Sequence, residues 1–157
     1  MKKLLKPVFC AATLIMLHSS ANAEVSQGKF AVGLNYPGAA IRYFLNDALT
    51  IEARGQFAED IIAGGLRSCY YFSTDSELLF FGGLEGDFVS FTGDESEGTG
   101  FAGELLVGSE YFFTEKLSLQ ADAGPAWVAI EDKDTSVTDS GVEFVINLGI
   151  NFYFGGY

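Results

Sequence analysis

The chain has 157 residues, a formal net charge of −12 and a mean hydropathy of +0.22. An acidic chain argues against nucleic acid as a partner, because nucleic-acid-binding domains concentrate positive charge. Although 48% of the residues are hydrophobic and 15% are aromatic, no stretch after residue 23 is long and apolar enough for a transmembrane helix. Strands with one apolar and one polar face would explain this composition.

The N-terminal segment has the three parts of a cleaved export signal. Three lysines lie within the first six residues, residues 8–17 are mostly apolar, and Ala21-Asn22-Ala23 is a small-x-small cleavage site. The apolar run is too short to span a membrane as a helix. We therefore expect a signal peptide over residues 1–23.

Residues 24–157 are predicted to form one domain, since the sequence contains no linker. Nine Lys plus Arg less the three leader lysines leaves six against 21 Asp plus Glu, so the domain has a net charge of −15. Its single cysteine, Cys69, cannot form an intramolecular disulfide. The only histidine, His18, lies in the leader.

Eight segments with strand-like patterns follow, at roughly 29–36, 38–45, 49–58, 61–72, 78–91, 101–113, 117–130 and 141–154. Three connections share one plan, an aromatic pair, a short polar turn and a leucine, at residues 43–49, 71–78 and 111–117. Because they occupy every second connection, they predict the inner, periplasmic end of an antiparallel up-and-down barrel. The acidic connections 92–100 and 131–140 are then assigned to the outer end.

The last segment has the clearest face pattern. From Gly141 to Phe154 it reads GVEFVINLGINFYF, with large apolar residues at every even position. A period of two gives a strand with two unlike faces. Phe144 and Phe152 are eight residues apart, which spans roughly 20 Å at about 3.3 Å per residue and a tilt of about 40°. The predicted fold is therefore an all-β, eight-stranded antiparallel up-and-down transmembrane β-barrel.

Aromatic residues on the apolar row cluster near both strand ends and leave a mainly aliphatic band between them, which matches the two interfaces of a bilayer. The predicted outer girdle consists of Tyr36, Phe57, Phe88, Phe101, Trp127 and Phe144. The predicted inner girdle includes Tyr43, Phe72, Tyr111, Phe113, Phe152 and Phe154. Pro125 lies on the same row, where its missing N–H predicts a local bulge or a lost ladder hydrogen bond.

The opposite row carries small residues and ten charged side chains, which are Arg42, Glu52, Arg54, Arg67, Glu85, Asp87, Glu104, Glu110, Asp122 and Glu143. Such a row suits a narrow lumen in which side chains pair with one another. The expected pairs are Arg42 with Glu52 across an inner turn, and Arg54 and Arg67 with Glu85, Asp122 and Glu110. Asp87, Glu104 and Glu143 are expected near the outer mouth without a basic partner.

Two hypotheses remain open for the charged lumen. The charges form an ion-paired plug, or the excess of carboxylates makes a small porin-like channel that prefers cations. We favour the plug, because eight strands leave little free bore. A third alternative is a soluble periplasmic, lipocalin-like barrel that binds a ligand with its apolar row turned inward.

These features resemble the family of small eight-stranded outer-membrane β-barrel proteins. The resemblance rests on the leader, the strands, the girdles, the stretch Ala123-Gly124-Pro125-Ala126-Trp127 and the ending Ile150-Asn151-Phe152-Tyr153-Phe154. It implies a Gram-negative outer membrane, contact with membrane lipid and lipopolysaccharide, and insertion by the barrel-assembly machinery. Barrels of this family usually end on an aromatic in phase with the outward row, whereas Gly155-Gly156 puts Tyr157 out of phase.

No enzyme activity is predicted. The resemblance implies that enzymes of this fold use a histidine as base, and residues 24–157 contain none. Ser68, Ser118 and Cys69 therefore lack an activating imidazole, and Cys69 is interpreted as a small packed residue. The acidic loops match no EF-hand spacing, so we expect neither a metal nor a cofactor. The sequence thus predicts a monomeric, non-enzymatic barrel that supports envelope structure or surface contact.

Overall fold

The computed structural model describes residues 26–36, 38–58, 60–73, 76–92, 97–132 and 138–155. The predicted signal peptide, the centres of the two acidic connections and Tyr157 lie outside these ranges. Within them, no helix is long and apolar enough to cross a membrane.

Eight strands follow one another along the chain: β1 (Phe30–Asn35), β2 (Gly38–Phe44), β3 (Leu49–Ala58), β4 (Ile61–Tyr71), β5 (Leu78–Thr92), β6 (Glu97–Thr114), β7 (Leu117–Asp132) and β8 (Thr138–Phe154). Each strand pairs antiparallel with its neighbours in sequence, and β1 pairs with β8 to close the barrel. The predicted eight-stranded antiparallel up-and-down barrel is therefore confirmed as the fold.

At the inner end, where β2–β3, β4–β5 and β6–β7 connect, the β2–β3 and β6–β7 turns are closed by local side-chain hydrogen bonds. Asn46 Oδ1 accepts from the N–H groups of Ala48 and Leu49, at 2.9 and 2.8 Å. Thr114 Oγ1 accepts from those of Lys116 and Leu117, at 3.2 and 3.1 Å. Asn and Thr side chains favour tight turns through such bonds, which explains the short connections at this end.

The strands at the outer end are longer than their sequence pattern predicts. Glu97–Gly100 and Thr138–Ser140 are strand residues, although the sequence places them in loops. Gly98 resembles a turn residue, but its function here is packing, because a Cβ at Gly98 would lie 2.2 Å from the ring of Phe91. The glycine makes room for an aromatic ring instead of breaking the strand.

Pairing around the barrel is staggered. A path that starts at Phe152 returns to β8 at Val142, ten residues away, and passes through Val32, Ile41, Ala53, Leu66, Gly86, Gly103 and Trp127. A stagger of this kind tilts the strands by roughly 35–45° from the barrel axis. It also decides which side chains meet inside the lumen.

Pro125 interrupts the β6–β7 ladder without changing its register. Paired residues run to Glu104↔Ala126 and resume at Val107↔Ala123. The lost pairing agrees with the expectation for Pro125, whereas the bulge lies elsewhere, between Phe112 and Thr114. The β6 backbone approaches β7 closely at the interruption, and a Cβ on Gly124 would lie 1.7 Å from the Leu105 carbonyl oxygen.

Candidate functional site: the charged lumen

The structure places nearly all of the ten predicted lumen charges inside the barrel. Those that are buried, each less than 8% exposed, are Arg42, Glu52, Arg54, Arg67, Glu85, Glu104, Glu110 and Asp122. Asp87 is half-buried, and Glu143 is exposed at the outer mouth. Because burying an unpaired charge is very unfavourable, the contacts of the buried charges determine what the lumen can do.

Arg42 is the centre of an inner cluster that we define as Arg42, Glu52, Tyr71, Glu110, Ser118, Gln120, Asn151 and Tyr153. Its Nε donates to Glu52 Oε2 at 2.6 Å, and its Nη2 donates to Gln120 Oε1. Its Nη1 lies 3.0 Å from Glu110 Oε2. The same nitrogen donates to the phenol oxygens of Tyr71 and Tyr153, at 2.8 and 3.0 Å. These partners come from five strands, so one guanidinium on β2 is hydrogen-bonded to side chains of five of the other seven strands.

Glu110 is fully buried, and both of its oxygens are satisfied. The hydroxyl groups of Tyr71 and Tyr153 donate to Oε2 and Oε1, each at 2.6 Å. Asn151 Nδ2 donates to Oε1 at 2.9 Å, and Ser118 Oγ donates to the same oxygen. A buried ion pair stabilises a fold only when such additional hydrogen bonds satisfy it.

The position of Glu110 differs from the expected one. Glu110 pairs with Arg42, not with Arg54 or Arg67. The expectation is wrong because the stagger of the strands brings the inner end of β6 level with Arg42. The expected Arg42–Glu52 pair is present, across the β2–β3 turn.

The structure contains an aromatic layer at the inner end of the lumen that the sequence analysis does not predict. Its fully buried members are the rings of Phe44, Tyr71, Phe81, Phe112 and Tyr153, together with the side chain of Leu79. The rings are in contact, with centroids 5.2 Å apart for Tyr71 and Phe81 and 5.1 Å apart for Phe112 and Tyr153. The signal that could have revealed this layer is the aromatic pair before each inner turn, since adjacent strand residues face opposite sides. One ring of each pair is exposed on the outer face, and the other is buried in the lumen.

A middle cluster, defined as Arg54, Arg67, Glu85, Asp122 and Asn147, continues the network. Arg54 Nη1 lies 2.7 Å from Glu85 Oε2, and Arg67 Nε donates to the same oxygen at 2.5 Å. Arg67 Nη1 lies 2.9 Å from Asp122 Oδ2, and Asn147 Nδ2 donates to Oδ1 at 2.9 Å. Two arginines therefore share two carboxylates across four strands.

The outer acids, Asp87, Glu104 and Glu143, are less well compensated. Glu104 lies directly opposite Glu85, and like charges in that relation repel. Arg67 Nη2 lies 3.8 Å from Glu104 Oε2, so the expectation that Glu104 has no basic neighbour is wrong. Glu104 Oε1 is buried without a hydrogen-bond partner among the described residues. Glu143 makes no ion pair with any described residue.

The remaining sequence candidates are Cys69, Ser68 and Ser118. Cys69 is 2% exposed and packs among apolar side chains on the lumen face. Ser68 faces outward, and its hydroxyl donates to the Thr50 carbonyl oxygen at 3.0 Å. Ser118 donates to Glu110 in the inner cluster. The described residues contain no group of three or more His, Cys, Asp or Glu side chains that could hold a metal ion.

The outer face of the barrel is apolar. All twelve predicted girdle residues are exposed there: Tyr36, Phe57, Phe88, Phe101, Trp127, Phe144, Tyr43, Phe72, Tyr111, Phe113, Phe152 and Phe154. Phe88 and Phe101 are directly paired, with ring centroids 5.2 Å apart. On β3 and on β5 to β8, the outer aromatics lie within two residues of one another in register, and on β4 the exposed Ile62 lies between Phe57 and Phe88.

A comparison with models of known protein families and with curated protein sequences found no match for this chain.

Proposed function

We propose that the protein is an integral outer-membrane barrel, closed inside by its own side chains, with a non-enzymatic role in envelope structure or surface contact. The observation that carries the proposal is the outer face. Between the two girdles, the outward positions of the described strands carry no charged side chain, whereas the buried charges face the lumen. A lipid bilayer is the environment that matches an apolar outside and a polar inside.

The exposed belt is too large for a soluble monomer. Ile41, Leu66, Val107 and Leu148 lie between the girdles, and each is at least 60% exposed. Soluble monomers rarely expose continuous apolar patches of more than about 300–600 Å². The distribution of polarity also argues against a soluble lipocalin-like barrel, which needs an apolar lumen for its ligand.

The lumen contacts support a plug. The inner cluster draws donors and acceptors from six strands to one point, and the aromatic layer lies directly below it. An ion that crossed the lumen would have to displace the fully buried Arg42–Glu110 pair. The outer acids favour cations at the mouth, which is the one observation that supports the second candidate, a small cation-preferring channel.

The proposal includes export through the signal peptide over residues 1–23 and insertion by the barrel-assembly machinery. It places the protein, as a monomer, in contact with outer-membrane lipid and lipopolysaccharide through its two girdles. The absence of histidine from residues 24–157 supports a role without catalysis.

Cell fractionation of the full-length chain tests the membrane assignment. The protein should sediment with the outer membrane, require detergent for extraction and migrate differently on gels before and after boiling. A boiled sample is the matched control for the folded form. Release with the soluble periplasmic contents in the absence of detergent would contradict the proposal and favour a soluble barrel.

Planar-bilayer recording of the refolded protein separates the plug from the channel. The plug predicts no unitary conductance steps in the wild-type protein. Stable, cation-selective steps that weaken in Glu143→Gln would overturn the plug and support the channel, because Glu143 is the exposed acid at the mouth.

A further inference from the structure

Among the described residues, the outer part of β8 has a neighbouring strand on one side only. Thr138–Leu148 pairs with β7, from Glu131 to Ala121. On the other side the last pair is Asn35↔Gly149, where β1 ends. Eleven residues of β8 therefore have no partner along one edge among the described residues.

The free edge follows from the unequal strand lengths and the stagger. β1 and β2 have six and seven residues, whereas β8 has 17. The short β1–β2 hairpin leaves a notch in the barrel wall, bounded by the free edge of β8 and by the outer end of β3. The notch begins four residues below the girdle residue Phe144, so its lower part lies within the apolar belt.

Side-chain exposure shows the same change along β8. Val142, Phe144 and Ile146, beside the notch, are 70–73% exposed. Phe152 and Phe154, beside β1, are 44% and 40% exposed. The backbone of the free edge carries N–H and C=O groups without a partner, and such an edge is not stable against hydrocarbon.

We propose that the free edge of β8 accepts an extended segment of a partner protein as an added strand above the β1–β2 hairpin. A row of backbone donors and acceptors at about 3.3 Å per residue is matched by another extended backbone, and acyl chains offer no hydrogen bonds. The added strand would continue the line of β1 and extend the existing β1–β8 ladder.

The β8 edges of two copies of this chain cannot pair with each other. Two barrels in one membrane share the same orientation, and their strands tilt in the same sense. At a contact between them the two β8 strands would therefore cross at roughly 70–90°, twice the tilt, which prevents ladder pairing. The occupant is a separate, extended polypeptide.

The side chains beside the notch define the chemistry of the partner segment. Its outward positions would lie beside Phe144, Ile146 and Leu148 and would be apolar. Its lumen-facing positions would lie beside the exposed Glu143, so a lysine or arginine there complements the charge. The predicted partner is an alternating apolar and basic segment that enters from the outer side.

Disulfide trapping in detergent micelles tests the proposal. The probe is a synthetic nine-residue peptide of alternating valine and lysine, with its central valine replaced by cysteine. The protein carries Cys69→Ser and either Ile146→Cys at the free edge or Ile150→Cys, which faces the same way but pairs with Leu34 on β1. We expect about tenfold more mixed disulfide with Ile146→Cys, because strand addition needs a free edge. Val142→Cys replaces Ile146→Cys if that variant does not refold.

Two outcomes would overturn the inference. The first is equal trapping of the valine–lysine peptide at Ile146→Cys and at Ile150→Cys. The second is equal trapping at Ile146→Cys of the valine–lysine peptide and of a peptide with proline at every lysine position. Either result would show surface contact without strand pairing. Amide exchange in lipid nanodiscs provides the second test, in which the peptide should protect alternate amides of Thr138–Leu148. Protection by lipopolysaccharide without peptide would assign the notch to lipid. These results are independent of the fractionation that tests membrane location.

Discussion

The inner and outer parts of the lumen both contain buried carboxylates, but Glu110 in the inner part and Glu104 in the outer part differ sharply in the hydrogen bonds that they accept. In the inner half, both oxygens of Glu110 accept hydrogen bonds from tyrosine, serine, asparagine and arginine donors. In the outer half, Glu104 retains a buried oxygen that has no donor among the described residues, and Glu143 is exposed.

This difference shows that the number of charges in a lumen does not decide its role. In the inner half, tyrosine, serine, asparagine and glutamine side chains fill most gaps between the charges, although Glu52 Oε1 has no hydrogen-bond partner among the described residues and only Arg54 Nε at 3.5 Å. The outer half contains mainly carboxylates, so it resembles a solvated vestibule. The following substitutions test that contrast, from the largest expected effect to the smallest.

Arg42→Ala should cause the largest loss. It leaves Glu52 and Glu110 buried without their shared cation, and breaking a buried pair costs about 3–5 kcal/mol. Urea titration of the refolded protein measures the change in the free energy of unfolding. Lys116→Ala, in an exposed inner turn, is the control and should stay within about 0.5 kcal/mol. Equal losses in the free energy of unfolding for the two variants would contradict a stabilising role for the inner cluster.

Leu148→Arg should cost about 2–4 kcal/mol in lipid vesicles, since it puts a charge on the outward row near the middle of the belt. Ser140→Arg lies on the same strand and the same face, beyond Phe144, and should cost about 0–1 kcal/mol. Unfolding from vesicles measures both values. A similar effect at both depths would contradict the assignment of the belt to the bilayer.

Tyr153→Phe should destabilise the protein by about 1–3 kcal/mol, because the deleted hydroxyl leaves buried Glu110 with one donor fewer. Tyr43→Phe removes the same atom from the outer surface and should have little effect. The comparison uses the same urea titration. If Tyr43→Phe is the more damaging change, the hydroxyl groups of the aromatic layer contribute nothing to the plug.

Glu143→Gln should change stability least, by less than about 0.5 kcal/mol, as expected for an exposed side chain without an ion pair. Thermal unfolding of the refolded variant measures this small change. A loss comparable to that of Arg42→Ala would mean that the outer half is as tightly coupled as the inner half.

Much of the fold can be read from residue patterns. Alternation over Gly141–Phe154 and the three repeated inner turns predict both the strands and their order. The outer strand ends are missed because Gly98 and Gly100 resemble turn residues, and only their contacts with neighbouring strands show that small size is required. The free edge of β8 is missed because strand length by itself does not show which neighbour is too short.

The sequence predicts which charged residues line the lumen, but it does not predict which of them form ion pairs. A side chain's face follows from its position in an alternating strand, so the charged row of the lumen is visible in the sequence. The partner of Arg42 depends on the stagger around eight strands, which brings together residues as far apart in sequence as Arg42 and Glu110. Sequence spacing contains no measure of that stagger.

The sequence by itself determined that this chain forms strands with two unlike faces, one with apolar side chains and the other with charged side chains. That information is local, because successive side chains point to opposite sides of any strand. Only the tertiary structure decided the ten-residue stagger, the contacts of the inner cluster and the edge of β8 that has no partner among the described residues. These are properties of how the first and last strands meet, and ring closure is a constraint on the whole chain.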